Sequence, residues 1–554
     1  MGKENSTVWL PHLASDIVSD ARGPELDAYV VALEGWRRGL TIKWHTKDSE
    51  KFPSMKTWFV DKPGKLFSLS SEDRTHYFFR TRGDKVTNEA VEIGMDKERT
   101  KQYLSKAGVP VPNGKRFSQD EHDDEIINYA SKTLGFPVVL KPTDGSFGRG
   151  VVTNIQDINA LKRALDYAKR NHGESDWIIE KYIPGDEYRL YVVDDEVVGA
   201  IRRVPANVVG DGVNTIRTLI EKKNSERKKN PRLESCLIKI DQEVLNFLES
   251  NNYNLESIPE QGTQVFLTNK GNISLGGDPV DCLDDLSDDV KTTAIQTLRS
   301  IPGLPHGAVD LIVTNNCVEE SGVLVLEVNP TAQIGSILFP LKGKARNVPK
   351  AIIDYYFPET IIKGEKQSSS NMYFDFQKVI SPLFNKMARN VTVSPHPTGN
   401  VVAKRYIVSG SFQGFGYLRW IQKQAFLQRL SGQATIMDDG NIEIIVASDE
   451  KSTVENFKHI CEEGNDKSRV DRVYVEPWDQ PVKVGFEISK RSKKHMKKSQ
   501  VELKKELNEI NKITKELRRT QRMYENISRH IVWRYTSPIR RLIDRFKGKG
   551  RGLS

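Results

Sequence analysis

The chain has 554 residues, 37% of them hydrophobic and 28% charged, a composition that suits roughly three to four globular domains. It holds neither the run of about eighteen apolar residues that would predict a membrane span nor a secretory signal. The net charge of +9 is unevenly spread: residues 490–554 hold 21 Lys/Arg against 6 Asp/Glu, a net of +15, so the other 489 residues carry −6. Attraction to a polyanion or an anionic membrane therefore belongs to the carboxy-terminal tail. Cys236, Cys282, Cys317 and Cys461 are scattered without a Cys-x-x-Cys pair, which points to a reducing compartment and away from a disulfide framework or a zinc site.

Residues 1–94 alternate short apolar runs (AYVVAL, TWFV, HYFF) with turn residues and predict a small α/β domain. DKERTKQYLSKAG then predicts a helix stopped by Gly108 and Pro110. Strands follow at FPVVLK, DWIIEKYI, YRLYVV and EVVGAIR, with INALKRALDYAKR as an amphipathic helix among them. Past Pro358, the polar stretches KGEKQSSSN and VTVSPHPTGN predict a linker over 359–400. Residues 401–489 alternate in the order strand, helix, strand, strand, helix, strand, with a DDGN turn between the middle strands, which is the ferredoxin-like βαββαβ plan. Residues 490–554 predict a basic amphipathic helical tail.

Between two of these strands stands VLKPTDGSFGRGV. Glycine weakens a strand interior, so three glycines around Ser146 and Phe147 need a reason; a loop whose backbone N–H groups fold over phosphate supplies one. Downstream, GAVDLIV sets Asp310 in an apolar strand, and VLVLEVNP sets Glu327 and Asn329 on one face of another, since residues two apart point the same way. Buried carboxylates on neighbouring strands repel unless a cation holds them, and Mg²⁺ takes one or two carboxylates plus substrate phosphates. The set predicts a Mg-nucleotide site.

In that order, KPTDGSFGRGV, RRVPANVVGDGVNTI, NISLGGDPVD and LEVNP resemble the ATP-grasp superfamily of carboxylate–amine ligases. Within it they look closest to cyanophycin synthetase and to the glutathione-synthetase part of bifunctional glutathione enzymes. The resemblance implies an ATP-grasp domain over 95–358. It implies that Lys97 and Lys141 hold nucleotide phosphates and that the loop from Asp144 through Gly145, Ser146 and Gly148 to Gly150 covers them. Glu180, Lys181 and Ile183 would edge the adenine, and Glu187 would take the ribose hydroxyls. Asp310, Glu327 and Asn329 would bind Mg²⁺, with Mn²⁺ as a substitute. Arg203 would face the transferred phosphoryl group and act with Lys141 in catalysis, while Asn272, Gly276, Gly277 and Asp281 would shape the acceptor pocket. D-alanine ligases carry an Arg two residues before the metal Asp; this chain has Ala308, a small residue as in cyanophycin-type sequences. Local readings stand beside these roles: Lys97 as a solvated helix charge, Glu187 as a surface acid, and Arg203, Asn272 and Asp281 as caps or ion pairs.

YIVSGSFQGFGYLRW resembles acylphosphatase, over about 402–478. In that family an Arg binds phosphate and an Asn orients water; the corresponding positions here are Leu418 and Ile436, which implies a non-catalytic binding or docking domain. In the tail, Leu503, Ile510 and Leu517 recur every seven residues, and Trp533, Tyr535, Ile539, Leu542, Ile543 and Phe546 stand among arginines. This suits a helix lying on an anionic membrane surface, against a solvated basic helix as the plain reading; Thr514 and Gln521 break the companion seam of a coiled coil, a homo-oligomer is a further partner reading, and no fold that reads nucleic acid accompanies the tail. The whole predicts an α/β and α+β multidomain chain: a bacterial, cytoplasmic enzyme, peripheral at the inner face of the membrane. It would use ATP to join a carboxylate to an amine (an amino acid, peptide or cell-envelope polymer precursor) through an acyl phosphate. The rival readings are an acylphosphatase-type hydrolase with a fused nucleotide-binding domain and a non-catalytic ATP-sensing scaffold.

Overall fold

The computed structural model describes residues 7–143, 150–172, 176–314, 322–361, 371–397, 400–412 and 416–489, together with 510, 513–515, 517–519 and 522. The chain divides into two units: 1–402 with 448–451 and 479–484, and 403–447 with 452–478 and 485–554.

In the first unit, Gly23 takes φ 53° and delivers the chain to Pro24 at the start of the helix Pro24–Arg37. This helix is buried along most of its length. It packs on a five-stranded antiparallel sheet in the order Asn390–Thr392, Thr41–His45, Leu66–Ser70, Thr75–Phe79, Arg82–Gly83. Trp36, Trp44, Phe67 and Phe78 are fully buried there and form the aromatic centre of the core.

The 359–400 segment, expected as a linker, is in large part folded into this unit. Met372–Tyr373 pairs in parallel with Val482–Lys483. Asp375 caps the helix Phe376–Phe384 by accepting from Lys378 N–H at 3.0 Å, and Asn390–Thr392 is the edge strand named above. Met372, Phe374, Phe376, Ile380, Leu383 and Val393 are buried in the same core as Trp36 and Trp44. The cause is tertiary: the Tyr29 hydroxyl donates to Phe374 O at 3.0 Å across 345 residues, a pairing that local periodicity does not carry.

Two further sheets position the site. The first has the order Gly114–Phe117, Trp177–Lys181, Val138–Pro142, Val152–Ile155, and the helix Ile158–His172 packs on it. The second has the order Asp278–Asp281, Glu196–Val204, Asp186–Val193, His306–Val313, Val323–Asn329, antiparallel throughout. Between the Glu196–Val204 and Asp278–Asp281 strands an inserted subdomain carries the two-stranded ribbon Asn207–Val209 and Gln264–Phe266. With the helices Ile216–Arg227 and Gln242–Ser250 it builds a core of its own.

The second unit follows the expected βαββαβ plan, with strand order Ser468–Pro477, Val402–Phe412, Ile442–Ser448, Ser431–Ile436 and the extra strand Phe486–Ile488 at the edge. The helices Gly416–Leu427 and Lys451–Glu463 bury Tyr417, Leu418, Ile421, Val454 and Phe457. Of the tail, the few described residues are helical, with Ile510, Ile513 and Leu517 exposed; its other predicted apolar positions lie outside the described residues. Among the described residues no helix is long and apolar enough to cross a membrane.

Candidate active site

The Asp96 carboxylate accepts from Glu98 N–H at 3.0 Å and Arg99 N–H at 3.1 Å, and so caps the helix Lys97–Lys106. That cap places Lys97 on the first turn, where its Nζ lies 3.4 Å from Pro142 O and 3.5 Å from Thr143 O. Those carbonyls end the strand that leads into the glycine-rich loop. Of that loop, Gly150 is described, at φ 73°, and Asp144, Gly145, Ser146 and Gly148 lie outside the described residues.

Val139 stands opposite Glu180 and Lys141 opposite Ile178 in the antiparallel pair, so Lys141 and Glu180 are diagonal neighbours on one face. Lys141 Nζ lies 2.5 Å from Glu180, and Lys101 Nζ lies 3.4 Å from its other oxygen. Lys97, Lys101, Lys141, Glu180 and Glu327 line one cleft. Lys181, the next residue in the strand, points to the opposite face, and its ammonium donates to Gly135 O at 3.0 Å and Phe136 O at 3.1 Å. Ile183 is half-buried in the turn that follows.

Deeper in the second sheet, Asp310 faces Arg189 on one side and Glu327 on the other, next to a β-bulge that shifts the register to Glu327's strand after Asp310. Arg189 grips it with a bidentate fork, Nε to Oδ1 at 2.7 Å and Nη2 to Oδ2 at 2.8 Å. Arg203 Nη1 adds a contact at 3.1 Å, and Asn329 Nδ2 one at 3.4 Å. Burial of Asp310 works against its ionisation, yet Arg189 and Arg203 hold its pKa below the usual carboxylate value. Burial and the like charge of Arg189 lower the pKa of Arg203, against the pull of Asp310, Glu187 and Glu327. Glu187 lies two residues before Arg189 on the same face, and desolvation raises its pKa despite Arg203. Gly271 closes over this group: a Cβ there would lie 2.8 Å from a Glu187 carboxylate oxygen and 2.8 Å from Arg203 O.

Among the described residues, no three His, Cys, Asp or Glu side chains stand together as a metal site. The set here is two carboxylates and an amide, all oxygen donors, which suits a hard cation that keeps waters and substrate phosphates as its other ligands. Asp310 Oδ2 is taken by Arg189, Arg203 and Asn329, but Oδ1 accepts from Arg189 alone and keeps a lone pair to offer beside Glu327, so the residues fit Mg²⁺ through that oxygen.

Residues 94–215 match the family model of the RimK-like ATP-grasp domain, and residues 404–488 match that of acylphosphatase. The chain carries an ATP-grasp domain. It is fused to an acylphosphatase-like domain. Similar proteins include cyanophycin synthetase of Trichormus variabilis, 34% identical over 282 residues that cover 50% of this chain and 31% of that protein. The glutathione biosynthesis bifunctional protein GshAB of Clostridium perfringens is 28% identical over 345 residues, 60% of this chain and 41% of that one. This chain thus spans 31% of the length of the cyanophycin synthetases it matches. A solved bifunctional glutathione synthetase from Pasteurella multocida aligns at 26% identity and a TM-score of 0.42, over 55% of this chain and 41% of that one.

The residues expected at the acceptor pocket are placed differently from one another. Asn272 Oδ1 accepts from Ser274 N–H at 3.0 Å and from the Ser274 hydroxyl at 2.7 Å, a local cap. Gly277 lets this turn press against the Arg203 strand, where a Cβ would lie 2.9 Å from Asn272 O and 3.0 Å from Val204 O, and Gly276, at φ 100°, lies against Ile238. Asp281 is not joined to the Asp310 group: Arg346 takes it in a fork at 2.8 and 2.7 Å. Arg189 and Lys101 escaped the sequence reading. Arg189 is two residues from Glu187, and Lys101 is one helical turn from Lys97, so same-face spacing is the signal that marks both.

In the acylphosphatase-like domain, Leu418 is fully buried in the helix core, Arg419 is exposed on the next face, and Ile436 ends the Ser431–Ile436 strand. Residues 413–415 of its loop lie outside the described residues.

Proposed function

We propose that the protein is an ATP-dependent ligase that joins a carboxylate to an amine and releases ADP and phosphate. The observation that carries this reading is the Asp310 group, which combines two arginines, Glu327 and Asn329, with Glu327 also lining the cleft edged by Lys97, Lys141 and Glu180. A carboxylate is a poor acyl donor, because its leaving group is oxide. In the proposed first step its oxygen attacks the γ-phosphorus of ATP, the bond to the β–γ bridging oxygen breaks, and an acyl phosphate forms. The amine then attacks the acyl carbon, the C–O bond to phosphate breaks, and the amine loses a proton to give the amide. Lys97 and Lys141 hold the phosphates, Arg189 and Arg203 stand where charge develops on the transferred group, and the glycine-rich loop keeps water away. Bound Mg²⁺, held by Asp310, Glu327 and Asn329, supplies charge neutralisation at the phosphate oxygens; Mn²⁺ accepts the same donors.

The named relatives are synthetases, which supports an amino acid, a peptide or a polymer end as substrate. The burial of Leu418 at the position of the phosphate-binding arginine supports a docking role for the second unit rather than hydrolysis. We place the enzyme in the cytoplasm, with the tail as its contact to the inner membrane face. The test is a screen for Mg-dependent ADP release across amino acids and peptides, with mass detection of products. The expected product weighs the sum of the substrates less one water, and ATP turnover without any adduct would sink the reading.

A further inference from the structure

Lys101 shares one cleft with Lys97, Lys141, Glu180 and Glu327. Three lysines against two carboxylates leave a positive charge facing the space where an anion fits. Lys101 lies one turn beyond Lys97 on the helix Lys97–Lys106, and its ammonium reaches across to the first sheet. Its Nζ lies 3.4 Å from Glu180 Oε1 and 3.4 Å from Gly114 O. Gly114 stands opposite Glu180 in the antiparallel pair. A Cβ on Gly114 would lie 2.5 Å from Glu180 Cγ, so the neighbouring strand pins the stem of the glutamate and restricts where its carboxylate can go. The second oxygen, Oε2, is held by Lys141 Nζ at 2.5 Å. One carboxylate therefore carries two ammoniums, at unequal distances.

The inequality matters because Lys141 has a second partner in the ligase reading, the nucleotide phosphates. A short contact between ions of opposite charge is a strong one, and drawing Lys141 toward phosphate lengthens it. The Glu180 side chain is 10% exposed, so water does not replace the lost cation, and a buried carboxylate stripped of its partner is heavily destabilised. Were Lys141 the only cation at Glu180, that penalty would be subtracted from nucleotide binding. Lys101 removes it. It stands on the oxygen that Lys141 leaves open, within ion-pair reach, on a flexible stem that closes the remaining gap by a small rotation. The plain alternative is a brace, in which Lys101 ties its helix to Gly114 O and Glu180 and does nothing else. The two readings differ in when Lys101 is needed: a brace works without nucleotide, a replacement cation works when nucleotide arrives.

We propose that Lys101 is a positioning residue that takes over the Glu180 carboxylate when Lys141 turns to the phosphates of the nucleotide. This rests on the ligase reading of the same cleft and adds to it the counter-charge that lets Lys141 serve two anions in turn. Its consequence is that nucleotide affinity depends on Lys101 through Glu180, although Lys101 makes no contact with the nucleotide.

The test titrates full-length protein with Mg·ADP by calorimetry and follows urea unfolding without nucleotide. Lys101→Met weakens ADP by about tenfold or more, because Glu180 then keeps Lys141. Lys101→Gln, a milder change at this half-buried position, gives the same loss. The nucleotide-free urea midpoint of both variants stays close to wild type, since Lys141 still neutralises Glu180 there. Lys101→Arg, which keeps the charge, stays within a few-fold of wild-type affinity. Adding Glu180→Gln to Lys101→Met restores most of the lost affinity, because a neutral amide releases Lys141; a brace lost from the helix would not be repaired by a second substitution in the sheet. Wild-type ADP affinity in Lys101→Met and Lys101→Gln, or a double variant that binds ADP no tighter than Lys101→Met, overturns the role. A nucleotide-free midpoint that falls in step with the affinity assigns Lys101 to bracing and overturns it as well. Failure of the wild-type protein to bind ADP removes the ligase reading and this role with it, whereas ADP binding that ignores Lys101 removes this role alone.

Discussion

Replacing Arg189 by Met removes a two-bond fork from a carboxylate that is buried and faces another carboxylate in register. Removing one partner of a buried ion pair costs about 3–5 kcal/mol, because the survivor is left desolvated and unmatched. Here Arg203 still contacts Asp310 at 3.1 Å and is relieved of the repulsion from Arg189, so the low end, about 3 kcal/mol, applies. With a urea slope of about 3 kcal/mol/M, the unfolding midpoint should fall by about 1 M. Trp36 and Trp44 are buried in the same unit as Arg189 and report this transition by fluorescence. A double-mutant cycle with Asp310→Asn isolates the pair, and its coupling should be about 2–3 kcal/mol. Arg189→Lys keeps the charge but not the fork and should recover less than half of the loss. Coupling under about 0.5 kcal/mol would refute the reasoning, since independent sites show no more than that.

Glu327→Gln should abolish Mg-dependent ADP release while the urea midpoint stays close to wild type, because the carboxylate that binds the cation is lost and the amide is isosteric; near-normal turnover removes the metal assignment. Full-length protein should hydrolyse benzoyl phosphate no faster than buffer, since Leu418 and Ile436 stand at the working positions; a measurable turnover number overturns the docking role. His306 is neutral and buried between the hydroxyls of Tyr191 and Tyr356, and burial, aided by Arg82 and Lys85, lowers its pKa to about 3. The unfolded chain therefore binds the extra proton below about pH 6.5, and stability should fall by about 1.4 kcal/mol per pH unit from there down to about pH 3. His306→Gln should flatten that slope, and an unchanged slope of urea stability against pH assigns the titration elsewhere. Deleting residues 490–554 should abolish sedimentation with anionic vesicles and leave ADP release intact; a preference of the full chain for nucleic acid over vesicles at equal salt ends the membrane reading.

What was legible in the sequence depended on whether a residue contradicted its local setting. Asp310 and Glu327 stood out as carboxylates inside apolar strands, and the βαββαβ order was readable because each element carries its own periodicity. Arg189 did not stand out, because an arginine near the start of a strand reads as a surface charge, and its partner is 121 residues away. The 371–397 segment was hidden for the same reason: Phe374 and Phe376 bury themselves against Tyr29 and Trp44, and nothing within their own window announces that contact. Asp281 shows the opposite situation. Its neighbours GGDPVD carried the resemblance, but the fork from Arg346 is what engages the side chain.

The pairing of an ATP-grasp domain with an acylphosphatase-like domain poses a chemical conflict that the docking reading of the second unit would resolve. An active acylphosphatase would cleave the bond that the proposed ligase makes before an amine could use it. By the resemblance, the phosphate-binding arginine of that family would stand on the first turn of the helix Gly416–Leu427. Here the position is Leu418, fully buried as are Tyr417 and Ile421 of the same helix, and Arg419, one residue on and about 100° around the helix, is exposed. The unit keeps the sheet and both helices without an arginine at that position, which supports a domain that works through its surface; measurable turnover of benzoyl phosphate would overturn that reading.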